Sequence, residues 1–218
     1  MQMATPETRI YRRSEIAAFR KTVEDFGGLS NMAPGYPIVI GGQNIRTSEA
    51  LYQACRFPHL PDVQKMIFAQ ASPMTAKMRA KPFRSESRPD WDDVRIPIMK
   101  WCLRIKLAQN WSKFGDLLLK TGELPIVEDS RKDDFWGAKV DCDGLLKGRN
   151  VLGRLLMELR QSLKQKPESL MQVRPVPITR FQILGESVQA VSANIQIPMT
   201  SAETQSGDRF SFGFAAVN

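Results

Sequence analysis

The residues best suited to chemistry are four carboxylates, Glu49, Asp92, Glu128 and Asp133, set among aromatic, amide and glycine neighbours. The stretch from Asp90 to Arg160 is densest in such groupings. It holds Asp90-Trp91-Asp92, Lys106-Leu107-Ala108-Gln109-Asn110-Trp111, Glu128-Asp129-Ser130, Asp133-Asp134-Phe135-Trp136-Gly137, and a segment running from Asn150 to Met157. Tryptophan supplies a flat stacking face, and glycine lets a backbone come close. Carboxylates beside flat apolar walls suit cleavage of an N-glycosidic bond. Such cleavage passes through an oxocarbenium-like sugar. One carboxylate can stabilise that cation and orient water, while a second group protonates the leaving nitrogen.

Each candidate also has a plainer reading. Glu49 opens a helix on which Glu49, Tyr52, Gln53 and Arg56 share one face, polar but edged by an aromatic ring. That face suits a ligand, or else it is solvated. Asp92 can act as a helix cap and Asp133 as the centre of an Asx turn. Glu128 follows a short apolar strand, at a strand end. Lysine offers a second route, because an amine with a lowered pKa can form a Schiff base with an opened sugar. Lys81 and Lys106 are the candidates, with a phosphate contact or a surface position as the alternative. Arg79 and Arg88 can hold phosphate in bidentate fashion. Trp91 and Trp136 can sandwich a base or pack in the core.

These side chains need elements to position them. Thr47 or Ser48 caps a helix, 62–70 forms another, and Ser72-Pro73 starts a third. Residues 85–89 read as a loop. The next helix is capped by Asp90 or Asp92, with Pro97 tolerated only in the first turn. Met99, Cys102, Leu103 and Lys106 share its face, which predicts partial burial of Lys106. A helix over 112–120 ends at Gly122, and Asn150 caps a last one with Val151, Leu152, Leu155, Leu156 and Leu159 as its buried stripe. Ile38-Val39-Ile40 and Pro125-Ile126-Val127 read as short strands, and residues 1–20 as a polar lead-in. From Ile178 onward β-type alternation appears at Val188, Ala190 and Ser192 and again at Ile195 and Ile197.

Composition narrows the class. The 218 residues are 42% hydrophobic and 25% charged, ordinary for a globular chain. No apolar run approaches the roughly 20 residues of a membrane span, and no signal-peptide core opens the chain, so a cytoplasmic protein without membrane contact is expected. Cys55, Cys102 and Cys142 form no CxxC pair, and His59 is the one histidine. Neither a metal site nor a disulfide framework is expected. The formal charge is +8. Residues 171–218 are neutral, whereas Lys77 to Lys113 holds ten Lys/Arg against four Asp/Glu. A basic surface of this kind attracts phosphate, although a solvated face has the same composition.

Taken in order, the motifs resemble the NADAR family over about residues 26–164. They are Phe26-Gly27-Gly28-Leu29-Ser30-Asn31, the run Thr47 to Phe57 with Glu49, Tyr52, Gln53 and Ala54, Arg88-Pro89-Asp90-Trp91, Met99 with Lys106, Glu128 to Gly137, and Asn150 to Arg160. Two positions depart from the family pattern. Leu107 stands where many relatives have Phe, and Ala80-Lys81 replaces a frequent Gly-Arg.

The resemblance implies an α+β, mainly helical single domain over 20–165, with a β-rich extension over 171–218. It implies hydrolysis of N-glycosidic bonds without metal or cofactor. It assigns catalytic roles among Glu49, Lys81, Lys106, Asp92 and Asp133. Substrate contacts fall to Asn31, Tyr52, Gln53, Arg79, Arg88, Trp91, Glu128, Trp136, Gly137 and Asn150. One branch of the family cleaves phosphorylated riboflavin-pathway intermediates. Another counteracts DarT-type toxins by removing ADP-ribose from guanine in DNA. Lys81, the basic first 170 residues and the extension resemble the second branch. That branch implies ADP-ribosylated DNA or a guanosine nucleotide as substrate, ADP-ribose as product and a DarT-type toxin as partner. A non-catalytic ADP-ribose or nucleotide-binding module is the alternative from another class.

Overall fold

The computed structural model describes residues 7–194. In chain order the elements are β1 (Arg9–Tyr11), β2 (Ala17–Phe19), β3 (Ile38–Ile40), β4 (Gln43–Ile45), α1 (Ser48–Ala54), α2 (Pro61–Phe68), α3 (Pro73–Ala80), α4 (Trp91–Gln109), α5 (Trp111–Lys120), β5 (Ile126–Glu128), β6 (Lys139–Val140), β7 (Leu146–Gly148), α6 (Val151–Gln165), β8 (Gln172–Val173), β9 (Gln182–Ile183), β10 (Glu186–Ser187) and β11 (Val191–Ser192). Short 3₁₀ turns cover Arg13–Glu15, Gly27–Leu29, Lys81–Glu86 and Pro167–Leu170. This is an α+β fold, mainly helical, with its strands in small sheets.

Helix α4 is the centre. Ile98, Cys102, Ile105, Leu107 and Ala108 are fully buried, and α1, α5, α6 and β8 all pack on it. Thr47 caps α1, its hydroxyl accepting the Ala50 amide hydrogen at 3.3 Å. Pro61 and Pro73 sit at the first positions of α2 and α3, where a missing N–H costs nothing. The amphipathic stripe of α6 is buried as its spacing predicts. At Gly153 a Cβ would come within 2.1 Å of the Ile126 carbonyl oxygen, so α6 lies directly on β5 because that position is glycine.

The strands carry the site from the other side. β2 and β5 pair in parallel, with Phe19 opposite Glu128. β1, β7 and β6 form an antiparallel sheet, and β3 and β4 a hairpin turned at Gly41-Gly42. Those two glycines have positive φ of 55° and 76°, which the two-residue turn demands. The strands β8 to β11 supply the β-rich end of the chain. Val173, Phe181, Ile183 and Val188 are buried in the same core as the helices. Buried Gln64 pins that end to α2. Its amide donates to the Ala54 and Gln182 carbonyls, both at 3.1 Å, and accepts from the Leu184 amide at 2.5 Å. The alternation at Ile195 and Ile197 lies outside the described residues.

Several expectations are corrected. The polar lead-in contains β1 and β2, with Tyr11, Ala17 and Phe19 buried. Strands of three residues are too short for alternation to show. Residues 85–89 are not all loop, because Ser85 and Glu86 end the 3₁₀ turn that continues α3. Pro97 lies in the second turn of α4, beyond the first turn. It removes the N–H that the Asp93 carbonyl would accept, and burial of Val94, Ile98 and Trp101 around it holds the helix together. Asn150 precedes α6 with φ of 50° and makes no side-chain cap. Asp90 precedes α4, but its carboxylate is taken by Arg88. Lys106 is wholly buried, where partial burial was expected. No helix among the described residues is long and apolar enough to cross a membrane.

Candidate functional site

The first turn of α1 places Glu49 inside the protein. The Asn31 carbonyl accepts the Glu49 amide at 3.0 Å, and the Asn31 side-chain oxygen accepts from the Ser48 hydroxyl at 3.1 Å. The loop at 30–32 therefore sits across the start of α1. One turn later Gln53 donates its amide to the Glu49 carboxylate at 2.9 Å. Lys77, from α3, lies 4.0 Å from the same oxygen. The helix face read from spacing is buried, Glu49 being 6% exposed and Gln53 5%.

This face lines a cavity of about 210 Å³. Its aromatic wall is Tyr52, Trp91 and Trp136. The Tyr52 ring lies 5.1 Å from that of Trp91 and 5.6 Å from that of Trp136. Burial, with Glu49 adding to it, raises the Tyr52 phenol, which stays protonated. The cationic wall is Arg56, Lys77, Arg84 and Arg95. Arg56 lies over Trp91 at 4.2 Å, and Arg95 over Phe135 at 4.1 Å. The Nε atoms of both arginines are buried and make no hydrogen bond among the described residues. Burial lowers the pKa of Arg56.

Two further carboxylates face this cavity. Glu128, at the end of β5, has its pKa raised to about 7, first by burial, then by Asp133 and Glu49, with Lys77 opposing. Asp133 accepts the amide hydrogens of Phe135 and Trp136, both at 2.9 Å, through one oxygen. The Asx turn and the position on the cavity are therefore both present. The turn orients Trp136, and the second oxygen has no protein donor among the described residues. Met99 and Leu152 complete the apolar floor.

Gly137 and Asn150 stand behind Glu128 and do not line the cavity. A Cβ at Gly137 would come within 2.5 Å of the Glu128 carbonyl oxygen, so glycine allows the following strand to close on β5. The Asn150 side chain accepts the Glu128 amide hydrogen at 3.2 Å and donates to the Ile126 carbonyl at 2.8 Å.

The remaining sequence candidates lie elsewhere. Lys81 and Arg79 are exposed and do not line the cavity. Asp92 is exposed on α4, 3.6 Å from Arg95. Arg88 is buried, and its guanidinium is bound to Asp90 and to the Thr179 carbonyl at 2.7 Å. Lys106 donates to the carbonyls of Gly28 at 2.6 Å and Ser30 at 3.0 Å, with the rings of Tyr36 and Phe114 each 4.4 Å away. Burial lowers its pKa strongly, and its Nζ supports the loop that carries Asn31 and does not line the cavity. Sequence reasoning did not single out Arg95 as a site residue. Its signal was the four-residue recurrence of Trp91, Arg95 and Met99 along one face of α4. Lys77 and Arg84 were legible only as members of the basic run. Among the described residues no group of three His, Cys, Asp or Glu side chains is placed to hold a metal ion.

With this geometry in place, comparison with known proteins identifies the setting. A sequence profile described as the NADAR domain matches residues 18–164. The N-glycosidase YbiA of Escherichia coli is 35% identical over 148 residues, covering 68% of this chain and 88% of that protein. The N-glycosidase Npun_R5314 of Nostoc punctiforme is 32% identical, covering 67% of this chain and 91% of that one. The riboflavin biosynthesis protein VVA0006 of Vibrio vulnificus is 33% identical over 155 residues, 71% of this chain but 40% of its own length. The NMR structure of E. coli YbiA superposes with a TM-score of 0.60 at 31% identity, covering 77% of this chain and 93% of that one.

Proposed function

This chain belongs to the NADAR family, and on that premise we propose that it is an N-glycosidase that removes ADP-ribose from guanine in DNA. One observation carries the reading: two carboxylates, Glu49 and Glu128, face one cavity whose wall also holds four cationic side chains. Glu49, held by Gln53 and facing Lys77, stabilises the ribosyl cation and orients water toward C1′. Glu128, raised to about 7, gives its proton to the leaving nitrogen as the C1′–N bond breaks. Water supplies the oxygen to C1′, and its proton returns to a carboxylate. Asp133 is the third acidic group within reach. Tyr52, Trp91 and Trp136 form the flat wall, and Gln53 and Asn31 orient the ribose.

The cationic wall argues for a phosphorylated substrate. The cavity is smaller than the roughly 300 Å³ at which pockets begin to bury a whole drug-sized ligand. It takes the scissile ribose, and the pyrophosphate and strand lie across Arg56, Lys77 and Arg84. In this reading the chain acts in the cytoplasm as antitoxin to a DarT-type ADP-ribosyltransferase and releases ADP-ribose.

A second reading is hydrolysis of a phosphorylated riboflavin-pathway glycoside. The small cavity and the riboflavin biosynthesis names among the relatives favour it. A binding module without turnover is the third. Competing guanine-ADP-ribosylated single-stranded DNA against a riboflavin-pathway glycoside in one tube, with products read by mass, separates the three. The proposal expects the modified DNA to win by at least about two orders of magnitude in kcat/KM, or ~2.7 kcal/mol. Preference for the glycoside sinks the DNA reading and keeps the glycosidase. Binding of ADP-ribose with cleavage of neither substrate leaves the module.

A further inference from the structure

A larger cavity lies away from Glu49 and Glu128. It measures about 660 Å³ and opens between α4 and the chain from Glu168 to Pro177. On α4 it uses Pro97, Lys100, Trp101 and Arg104, spaced i, i+3, i+4 and i+7 and therefore on one face. Trp91, Arg95 and Met99, spaced by four, line the smaller cavity from a different face of the same helix. The far wall of the large cavity is Arg174, Pro175, Val176 and Pro177. Those residues lie beyond residue 164, where the NADAR match ends.

The walls have a definite chemistry. Pro97, Trp101, Pro175 and Val176 are apolar, and the indole is fixed in place by Phe181, packed edge-on at 4.8 Å. Lys100 is ion-paired with Glu158. Arg104 and Arg174 have no ion-pair partner among the described residues, against a single carboxylate, Glu168. A cleft of several hundred Å³ with apolar walls and two guanidinium groups that lack an ion-pair partner among the described residues suits an apolar anion.

We propose that this cleft between α4 and the Glu168–Pro177 segment is a second, non-catalytic binding site for a small organic anion with a flat ring, an aryl sulfonate, carboxylate or phosphate ester. The ring lies against Pro97, Pro175 and Val176, over a floor where buried Trp101 reaches the cleft, and the anionic group meets Arg104 and Arg174. The site is independent of which glycoside the smaller cavity cleaves.

The test uses 8-anilinonaphthalene-1-sulfonate as probe, titrated by fluorescence against the full chain. The expected result is one saturable site, weakened about tenfold or more in Arg104→Gln/Arg174→Gln. The pair Arg84→Gln/Arg95→Gln, which alters only the smaller cavity, should leave the probe affinity unchanged. 1-Naphthyl phosphate should displace the probe at concentrations where inorganic phosphate does not. Thermal melts confirm that each variant is folded, and single Arg174→Gln, at an exposed position, serves if the double variant is not. Non-saturable binding, equal affinity in the Arg104/Arg174 variant, or weakening by the Arg84/Arg95 pair overturns the proposal. Displacement by inorganic phosphate alone overturns the requirement for a ring.

Discussion

Asn150 holds Glu128 through its backbone: the Asn150 side-chain oxygen accepts the Glu128 amide hydrogen at 3.2 Å while its amide donates to Ile126 at 2.8 Å. A residue that was expected to cap α6 instead fixes the strand that ends in the most perturbed carboxylate of the cavity. Its own backbone is left-handed, a conformation that asparagine tolerates better than most residues.

Asn150→Ala is therefore expected to leave a buried N–H and a buried carbonyl without partners. The cost is roughly 1–3 kcal/mol of stability, read by denaturant unfolding. A lowered kcat with little change in KM should accompany it, because the substrate wall is untouched. Unchanged stability together with unchanged kcat would show that Asn150 does not position the strand.

Glu49→Gln keeps the size of the side chain and removes its charge. Hydrolysis is expected to fall by about 10²-fold or more, with the fold intact by circular dichroism, since electrostatic stabilisation of a cation is lost. Near wild-type turnover in the folded variant would remove Glu49 from the mechanism.

Glu128 gives a pH signature with a definite sign. Its folded pKa, about 7, lies above its ordinary 4.5. Between those values the native state binds the extra proton, so stability falls as pH rises from about 4.5 to about 7. At pH 8 the ionised side chain costs at most about 3 kcal/mol, from a pKa shift of that size at 1.36 kcal/mol per unit. Glu128→Gln should then match the wild type at pH 4 and exceed it in Tm at pH 8. The basic limb of the kcat profile, near pH 7 in the wild type, should disappear with it. A Tm difference that does not vary with pH contradicts this assignment.

Lys106 tests the alternative chemistry. Its Nζ donates to the Gly28 and Ser30 carbonyls and does not line the cavity. Borohydride added during turnover is expected to attach no sugar mass to Lys106. Lys106→Met should instead lower stability, through the freed carbonyls of the 28–30 loop. An adduct on this residue by peptide mass would restore the Schiff-base route.

The basic wall should be felt through salt. Arg84 lines the cavity and Arg79 is exposed elsewhere. Arg84→Gln is expected to weaken binding of modified DNA and to flatten its salt dependence, because fewer counterions are released. Arg79→Gln should do neither. Equal effects of the two substitutions would mean that the whole run acts as a diffuse charge.

The sequence by itself determined the helices and their faces. The Thr47 cap of α1, the start of α3 at Pro73, the stripe of α6, and the shared face of Glu49, Tyr52, Gln53 and Arg56 follow from local spacing, which one chain segment carries alone, although the Ser72 side chain makes no cap bond. Only the tertiary structure decided which faces close on one another. It set Glu128 beside Asp133 and Glu49, and burial there, a property of several segments at once, moved its pKa. It drew Arg88 and Lys106 into structural bonds, because a buried donor takes whatever carboxylate or carbonyl the fold brings to it. It also made strands of residues 9–11 and 17–19, whose partners, β7 and β5, lie more than a hundred residues away. A pairing of that range leaves no pattern in a three-residue segment.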